Sequence, residues 1–240
     1  MKAIILNSGI GKRLKPFTDE NPKCLVKING DTILEHEIKN LLDYGIKDII
    51  ITTGLFEEKI KDIIKRKFPG LNVAYVKNDK PESTNYIYSL WLLRGLLDED
   101  VILMHGDMVF EKQLLGRLLS SKYGSCVLVN NGIEVPEKDF KARVKDDAVK
   151  EIGINVFGKD AFFMAPVYKL SKNGFKLWMG EIAKFIERNE VTVYAENAFN
   201  NISNQIKLHA IYYLNEFCME IDNPEDLNAA RKFFKKKYPN

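Results

Sequence analysis

The first half of the sequence alternates between short apolar runs, which indicate buried strands, and segments with apolar residues three and four positions apart, which indicate helices. Strands are predicted at residues 3–6, 48–53, 72–76 and 101–104. Helices are predicted at 32–42, where Thr32 and Glu35 form a capping box, and at 56–68 and 86–97. This alternation predicts an α/β fold with a Rossmann-like, mostly parallel sheet that carries helices on both faces.

The second half loses this regular alternation from about Ser125 onward. Strands are predicted at 126–129, 162–165, 191–194 and 206–213, and a β-rich segment with a turn at Asp146-Asp147 is predicted at 141–154. A long helix is predicted at 170–188, and the last helix begins after Asn223, with Pro224 at its first position. We expect one domain over residues 1–240. Within it, 1–124 form a nucleotide-binding half, and 125–240 form an acceptor-binding half whose inserted β-rich elements lie over the site.

The composition narrows the class of protein. The chain has 240 residues and a net charge of +3, which is too small to argue for binding to nucleic acid or to an anionic membrane. No apolar run approaches the length of a membrane span. Its three cysteines, Cys24, Cys126 and Cys218, are widely spaced and fit neither a disulfide framework nor a zinc pattern. These features predict a cytoplasmic protein without membrane insertion.

Two glycines follow the first predicted strand, in the segment Asn7-Ser8-Gly9-Ile10-Gly11-Lys12-Arg13-Leu14. At the carboxyl end of such a strand, glycines let backbone N–H groups approach phosphate oxygens. Leu14 stands where a dinucleotide-binding fingerprint requires a third glycine, and Arg13 stands where a Walker A loop requires Ser or Thr. A plain tight turn would also explain the glycines, but Arg13 and Lys23 supply cations that would neutralise a polyphosphate. The segment therefore predicts a nucleotide-binding loop of another kind.

Carboxylates occur at two further places where a strand is predicted or the chain is extended. Asp107 follows Gly106 after the strand at 101–104, and a carboxylate at this end of a strand suits Mg²⁺. Glu220 and Asp222 point to the same side of an extended segment, so both could face one metal ion. The alternatives are a strand-end turn at Asp107 and a role for Asp222 in capping the last helix.

Together, these motifs resemble the nucleoside-triphosphate transferase family. The resemblance spans nearly the whole chain, at residues 6–14, 22–23, 78–79, 85–90, 106–107 and 220–223. Within that family, the motifs are similar to those of bacterial cytidylyltransferases that act on phosphocholine, 2-aminoethylphosphonate or phosphoglutamine. One departure is Asn7-Ser8, where most of the wider fold has Ala-Ala or Ala-Gly, so the base contacts at this point are left open.

The resemblance implies a Mg²⁺-dependent transfer of CMP from CTP, with release of pyrophosphate. It assigns the nucleotide to the loop and its neighbours, namely Leu6, Asn7, Ser8, Gly9, Gly11, Asn85, Ser89 and Gly106. It assigns Mg²⁺ to Asp107 and Asp222, with Glu220 as a further candidate, and it assigns phosphate contact to Lys23. An acceptor phosphate is mostly dianionic at neutral pH and can attack the α-phosphorus without a dedicated base. Arg13 and Lys23 are therefore expected to act catalytically, by offsetting charge.

The acceptor has to be inferred from the second half. Trp91 and Trp178 fit apolar helix faces better than an aromatic cage for a quaternary ammonium group. Charged residues predicted near the site are Asp139, Lys141, Arg143 and Glu196. The two cations could meet a phosphate or carboxylate of the acceptor, and the two carboxylates could meet its amine, although each residue also fits a charged surface strand. We expect a small amino-bearing phosphate or phosphonate, of the phosphoglutamine or 2-aminoethylphosphonate type rather than phosphocholine.

Other functions are weighed against this one. A sugar-1-phosphate nucleotidyltransferase would share the loop, but the segment at 85–89 and the compact length argue against it. A catalytically silent nucleotide sensor would not need Arg13, Lys23 and both aspartates, and Leu14 disfavours a dinucleotide oxidoreductase. His105 is near the predicted site by position alone. The oligomeric state is left open, with a homodimer as one option.

Overall fold

The structure, a computed structural model, describes residues 1–238. Its strands are β1 (Lys2–Leu6), β2 (Asp48–Thr53), β3 (Asn72–Lys77), β4 (Val101–His105), β5 (Met108–Phe110), β6 (Cys126–Asn130), β7 (Lys141–Lys145), β8 (Ala148–Gly153), β9 (Ala161–Leu170), β10 (His209–Tyr213) and β11 (Cys218–Glu220). Its helices are α1 (Ile33–Asp43), α2 (Glu57–Lys67), α3 (Tyr86–Leu92), α4 (Lys112–Ser120), α5 (Lys172–Glu187), α6 (Ala195–Ile202) and α7 (Pro224–Lys237), with short 3₁₀ turns at Lys12–Leu14 and Lys23–Leu25. In the part of the chain that the structure describes, no helix is long and apolar enough to cross a membrane.

Nine of these strands form one mixed sheet, in the order β3-β2-β1-β4-β9-β6-β10-β8-β7. The strands of the first half, β1 to β4, are parallel, as predicted. The second half departs from this direction, because β9 lies antiparallel between β4 and β6 and the hairpin of β7 and β8 is antiparallel as well. Strand β9 also pairs antiparallel with β7, so β7 lies between β8 and the first residues of β9.

Helices cover both faces of the sheet, which confirms the predicted α/β architecture. Successive residues of a strand point to opposite faces, so Ile4 packs in the core formed with α3, α5 and α6, while Ile5 packs in the core formed with α1, α2 and α4. Trp178 is buried in the first of these cores, as expected. A third cluster packs α7 against β5 and against the segment between β1 and α1, with Leu14, Val109, Ile221 and Leu227 among its members.

Two segments differ from their predictions. The helix predicted at 86–97 ends at Leu92, because the chain turns there and Gly95 adopts a left-handed conformation (φ = 80°). Residues 191–194 are rich in β-branched side chains, but they form an irregular approach to α6 rather than a strand. Helix α6 itself was not predicted, since three of its eight residues are asparagine, a weak helix former. It is stabilised by packing Ala198, Phe199 and Ile202 into the core.

Candidate active site

The loop after β1 is tightly fixed to its surroundings. Gly11 has a φ of 72°, which favours glycine, and a Cβ there would lie 3.1 Å from Thr18 Cγ2. The Thr18 hydroxyl donates a 2.8 Å hydrogen bond to the Gly11 carbonyl. The chain then enters the 3₁₀ turn at Lys12–Leu14, which buries Leu14 and leaves the Arg13 side chain two-thirds exposed above the site. Leu14 therefore has a core role at the position where the dinucleotide fingerprint requires glycine.

Asn7 explains why glycine occurs at position 106. The Asn7 backbone N–H donates to Thr52, and the side chain is buried against the Cα of Gly106. A Cβ at position 106 would lie 1.8 Å from Asn7 Oδ1, so the two positions fit together only with glycine at the second. Asn7 Nδ2 is buried and has no hydrogen-bond partner among residues 1–238.

A network of polar side chains lies behind the loop. The hydroxyls of Ser8 and Ser89 are 2.7 Å apart, and Asn78 Nδ2 donates to Ser89 Oγ at 3.1 Å and to Thr84 Oγ1 at 3.0 Å. Asn85 caps α3 by accepting a hydrogen bond from the Tyr86 N–H. A cavity of about 140 Å³ opens here, bounded by Leu6, Ser8, Gly9, Asn78, Asn85 and Tyr86. The residues predicted to hold the nucleotide thus come together, with Asn7 and Ser89 supporting the cavity from behind.

Three carboxylates meet at the end of the loop. Strands β5 and β11 pair in a separate antiparallel ribbon, which places Glu220 opposite Met108. The Ile221 N–H donates to the Asp107 carbonyl at 3.0 Å and holds the two chain segments in this alignment. One oxygen each from Asp107, Glu220 and Asp222 lies within 4.8 Å of the other two. The prediction that these residues form one cluster is consistent with this geometry.

Two cations balance this cluster. Lys23 Nζ lies 2.6 Å from Asp107 Oδ2 and 2.7 Å from Asp222 Oδ1, and Arg13 Nη2 lies 2.8 Å from Asp222 Oδ2. Burial alone would lower the pKa of Lys23, but the two aspartates outweigh it and raise that pKa. Burial opposes the effect of Lys23 at Asp107 as well, where the ammonium prevails and lowers the carboxyl pKa. The pKa of Glu220 is raised well above its usual range by burial and then by the neighbouring carboxylates.

The donor set fits a hard divalent cation. Asp107 Oδ1 and Glu220 Oε1 are buried, and within the described residues neither has a hydrogen-bond partner. Unpartnered carboxylate oxygens that converge with a third carboxylate are the ligands that Mg²⁺ takes in nucleotide sites, where phosphate oxygens and water complete its shell.

A larger cavity of about 530 Å³ extends from the loop and the carboxylates towards a group of aromatic rings. Phe140 and Tyr194 pack edge to face with centroids 5.1 Å apart, and Tyr86 lies 6.0 Å from Tyr194. His105 lines the same cavity and stacks edge-on against Tyr86 at 4.5 Å. Lys138 also lines it. Sequence reasoning missed these rings, because Phe140 and Tyr194 are far apart in the chain and no local motif connects them.

The four residues predicted to contact the acceptor are placed differently. Lys141 is fully buried, and its ammonium donates to the carbonyls of Glu137 and Ile154. Arg143 bonds Glu151 and Asp160 on the outer side of the hairpin. In the described chain, none of Lys141, Arg143 and Asp139 is part of the cavity lining, and Asp139 has one buried oxygen without a hydrogen-bond partner.

Glu196 lies directly behind the cavity wall. It is 1% exposed and accepts hydrogen bonds from the hydroxyls of Tyr86 and Tyr168, the latter at 2.7 Å. His105 Nε2 lies 3.9 Å from the same carboxylate. Glu196 therefore contacts Tyr86, which lines the cavity, but is not itself part of the lining.

Comparison with known proteins gives three informative similarities. The chain is 33% identical over 127 residues to CMP-5'-(3-aminopropyl)phosphonate synthase of Streptomyces rubellomurinus, which covers 53% of this chain and 20% of that protein. It is 28% identical over 243 residues to choline-phosphate cytidylyltransferase of Streptococcus pneumoniae, covering 98% of this chain and 99% of that one. A solved structure of CTP:phosphocholine cytidylyltransferase from Streptococcus pneumoniae superimposes with a TM-score of 0.82 at 26% identity, over 98% of this chain and 99% of that chain.

Coverage differs among these relatives. The chain spans a fifth of the length of the Streptomyces protein and about half the length of several bifunctional relatives, whereas it matches the Streptococcus protein end to end. The family model for nucleotidyl transferases matches residues 2–123, which hold the loop after β1, Lys23 and Asp107. The chain therefore belongs to the nucleotidyl transferase family.

Proposed function

We propose that this protein is a Mg²⁺-dependent cytidylyltransferase. It would transfer CMP from CTP to a small phosphate or phosphonate that carries an ammonium group, and release pyrophosphate. The observation that carries the proposal is the meeting of Lys23, Arg13, Asp107 and Asp222 at the open end of the loop after β1. Relatives whose names specify CMP or cytidylyl transfer support the choice of nucleotide.

In this proposal, the nucleotide lies along the loop after β1. Backbone N–H groups near Gly9 and Gly11 would face the phosphates, and the base would enter the smaller cavity near Ser8 and Asn85. Asn7 Nδ2, which is buried without a partner in the described chain, is a donor for the same ligand. Ser89 would act indirectly, by holding Ser8 and Asn78 in place.

The transfer reaction requires the protein to position the two substrates and to neutralise phosphate charge. The dianionic acceptor attacks the α-phosphorus of CTP, and the bond to the pyrophosphate oxygen breaks. Arg13 and Lys23 would offset charge on the α-phosphate and on the leaving pyrophosphate. Asp107, Asp222 and Glu220 would hold Mg²⁺, which supplies charge neutralisation and orients phosphate oxygens. No side chain has to take a proton, because the acceptor is already ionised at neutral pH.

The rings of Tyr86, Phe140 and Tyr194 support an ammonium-bearing acceptor. Ring faces attract primary and methylated ammonium groups alike. The expectation against phosphocholine was based on the core positions of Trp91 and Trp178 and on charged residues of the second half. These three rings give a basis for a choline-type acceptor. The proposed class therefore includes phosphocholine beside phosphoglutamine and 2-aminoethylphosphonate. Lys138, which lines the cavity, would meet the acceptor's phosphate.

One assay tests the function. Pyrophosphate release is measured with CTP, UTP and dTTP against phosphocholine, 2-aminoethylphosphonate, phosphoglutamine and glucose 1-phosphate, and the product mass identifies the acceptor. We expect release with CTP and an ammonium-bearing acceptor, and loss of at least about a hundredfold in Asp107→Asn. Asp98→Asn, which changes an exposed carboxylate, is the matched control and should keep full activity. Turnover of glucose 1-phosphate with UTP or dTTP alone would contradict the proposal and favour a sugar nucleotidyltransferase.

We further propose that the protein acts in the cytoplasm, where CTP is available, and that no nucleic acid takes part. All three cysteines are free thiols, which suits a reducing compartment. Whether it works as a homodimer stays a prediction, and sedimentation of the purified protein would test it.

A further inference from the structure

Lys23 lies between the two aspartates that are expected to hold the metal ion. Its ammonium is 2.6 Å from Asp107 Oδ2 and 2.7 Å from Asp222 Oδ1. Asp222 is almost fully buried, and Asp107 and Lys23 are largely so, which makes these ion pairs stronger than surface pairs. The ammonium thus bridges one oxygen of each carboxylate.

A divalent cation and this ammonium cannot both use these two oxygens. Mg²⁺ binds carboxylate oxygens at about 2.0–2.1 Å. An ion at that distance from both Asp107 Oδ2 and Asp222 Oδ1 would lie within about 4 Å of the ammonium nitrogen, where two positive charges repel.

We propose that the Lys23 ammonium and the divalent cation are alternative occupants of the Asp107–Asp222 carboxylate pair, so that the ion binds well only when Lys23 is drawn away. Lys23 then has two positions, one on the carboxylates and one on a phosphate group. This second position rests on the proposed function, because the phosphates of the nucleotide would supply it.

The surroundings of Lys23 allow such a movement. Its Cβ lies next to Gly11, where a side-chain carbon would come within 3.3 Å, so the lysine stem begins beside the loop after β1. Lys23, Gly9, Gly11 and Arg13 all line the same cavity of about 530 Å³. A change in the flexible four-carbon stem would therefore carry the ammonium from the carboxylates towards the side where phosphates are expected, without backbone movement.

Arg13 provides a matched control. It carries the same charge and also contacts Asp222, but through the other oxygen, Oδ2, at 2.8 Å, and its side chain is 67% exposed. Removing Arg13 therefore removes one positive charge near the site and leaves the bridge between the two carboxylates in place. Removing Lys23 removes the bridge itself.

The experiment measures Mn²⁺ binding to the full chain in the absence of nucleotide, by titration calorimetry or by the paramagnetic resonance of free Mn²⁺. We expect Lys23→Met to bind Mn²⁺ at least about tenfold more tightly than the wild type, and Arg13→Met no more than about threefold. Equal gains in the two variants would mean that net charge alone controls the affinity and would overturn the proposal. So would an unchanged affinity in Lys23→Met.

Thermal melting with and without Mn²⁺ is a second test, and it remains informative if the variant is less stable. Without the ammonium, two buried carboxylates face each other, so Lys23→Met should melt at a lower temperature than the wild type and Mn²⁺ should restore much of the loss. Mn²⁺ should move the wild-type melting temperature much less. Lys23→Gln, which keeps a polar end, allows the same comparison if the methionine variant is unfolded at the assay temperature. Failure of these metal-only measurements would leave the assignment of CTP untouched, because they contain no nucleotide.

Discussion

Lys141 offers a sharp test, because sequence reasoning predicted an acceptor ligand and the structure shows a buried anchor. Its ammonium donates to the carbonyls of Glu137 (2.8 Å) and Ile154 (2.6 Å), and it lies 4.6 Å from the ring centroid of Phe157. Hydrogen bonds from a charged group contribute about 1.5–3 kcal/mol each, and burying a methionine in place of lysine offsets part of their loss. Lys141→Met should therefore lower the free energy of unfolding by about 3 kcal/mol, and the melting temperature by roughly 6–12 °C.

The neighbouring Lys138 provides the control for this prediction. It lines the large cavity, its side chain is 40% exposed, and it pairs with Asp226 at 2.6 Å. Lys138→Met should cost only about 1 kcal/mol of stability, and it should raise the Michaelis constant for an anionic acceptor. Urea unfolding followed by circular dichroism measures both costs. Equal costs for the two lysines would refute the anchor, and so would an unchanged stability of Lys141→Met together with a weaker acceptor affinity.

Three further predictions follow from the buried residues around the site. Tyr86→Phe removes a hydrogen bond to Glu196 but keeps the ring, so calorimetry should show a loss of about 1–3 kcal/mol while acceptor affinity changes little. Burial raises the pKa of Glu37 well above its usual range, so the folded state keeps this proton at a pH where the unfolded chain has lost it. The wild type is then fully stabilised below about pH 4.3 and loses stability as the pH rises. In urea unfolding, Glu37→Gln should be more stable than the wild type by about 1–3 kcal/mol at pH 8 but not at pH 4. Gly106→Ala would place a methyl group 1.8 Å from Asn7 Oδ1, and thermal melting should show a clear loss that Asn7→Ala in the same chain partly restores.

Local sequence signals predicted much of the fold. The capping box at Thr32 and Glu35 is present at the start of α1, and the turn at Asp146-Asp147 joins β7 to β8 with both residues at positive φ. Such features depend on neighbouring residues, so a single sequence reveals them. The strand predicted at 191–194 was wrong: its β-branched composition favours a strand, but the segment forms an irregular approach to α6.

The residues around the site likewise divide into those that local sequence predicts and those that only the fold brings together. Arg13, Lys23, Asp107 and Asp222 were predicted from motif and position, and the structure brings them within ion-pair distance. The aromatic wall was not predicted, since Phe140 and Tyr194 meet only through the packing of the hairpin against α6. Charge alone also gave no indication that Lys141 would be buried, because that depends on two carbonyls that the fold directs inward.

The ribbon of β5 and β11 brings the carboxylate cluster together from the middle of the chain and from the segment just before α7. Asp107 belongs to the segment that the family model matches, whereas Glu220 ends β11 and Asp222 lies two residues later, just before α7. That strand pairs with β5 over three residues only, outside the main sheet. Heating or limited proteolysis that frays this ribbon would separate the carboxylates while the main sheet is still intact. The enzyme should therefore lose turnover at a lower temperature than it loses its secondary structure, so that inactivation precedes melting.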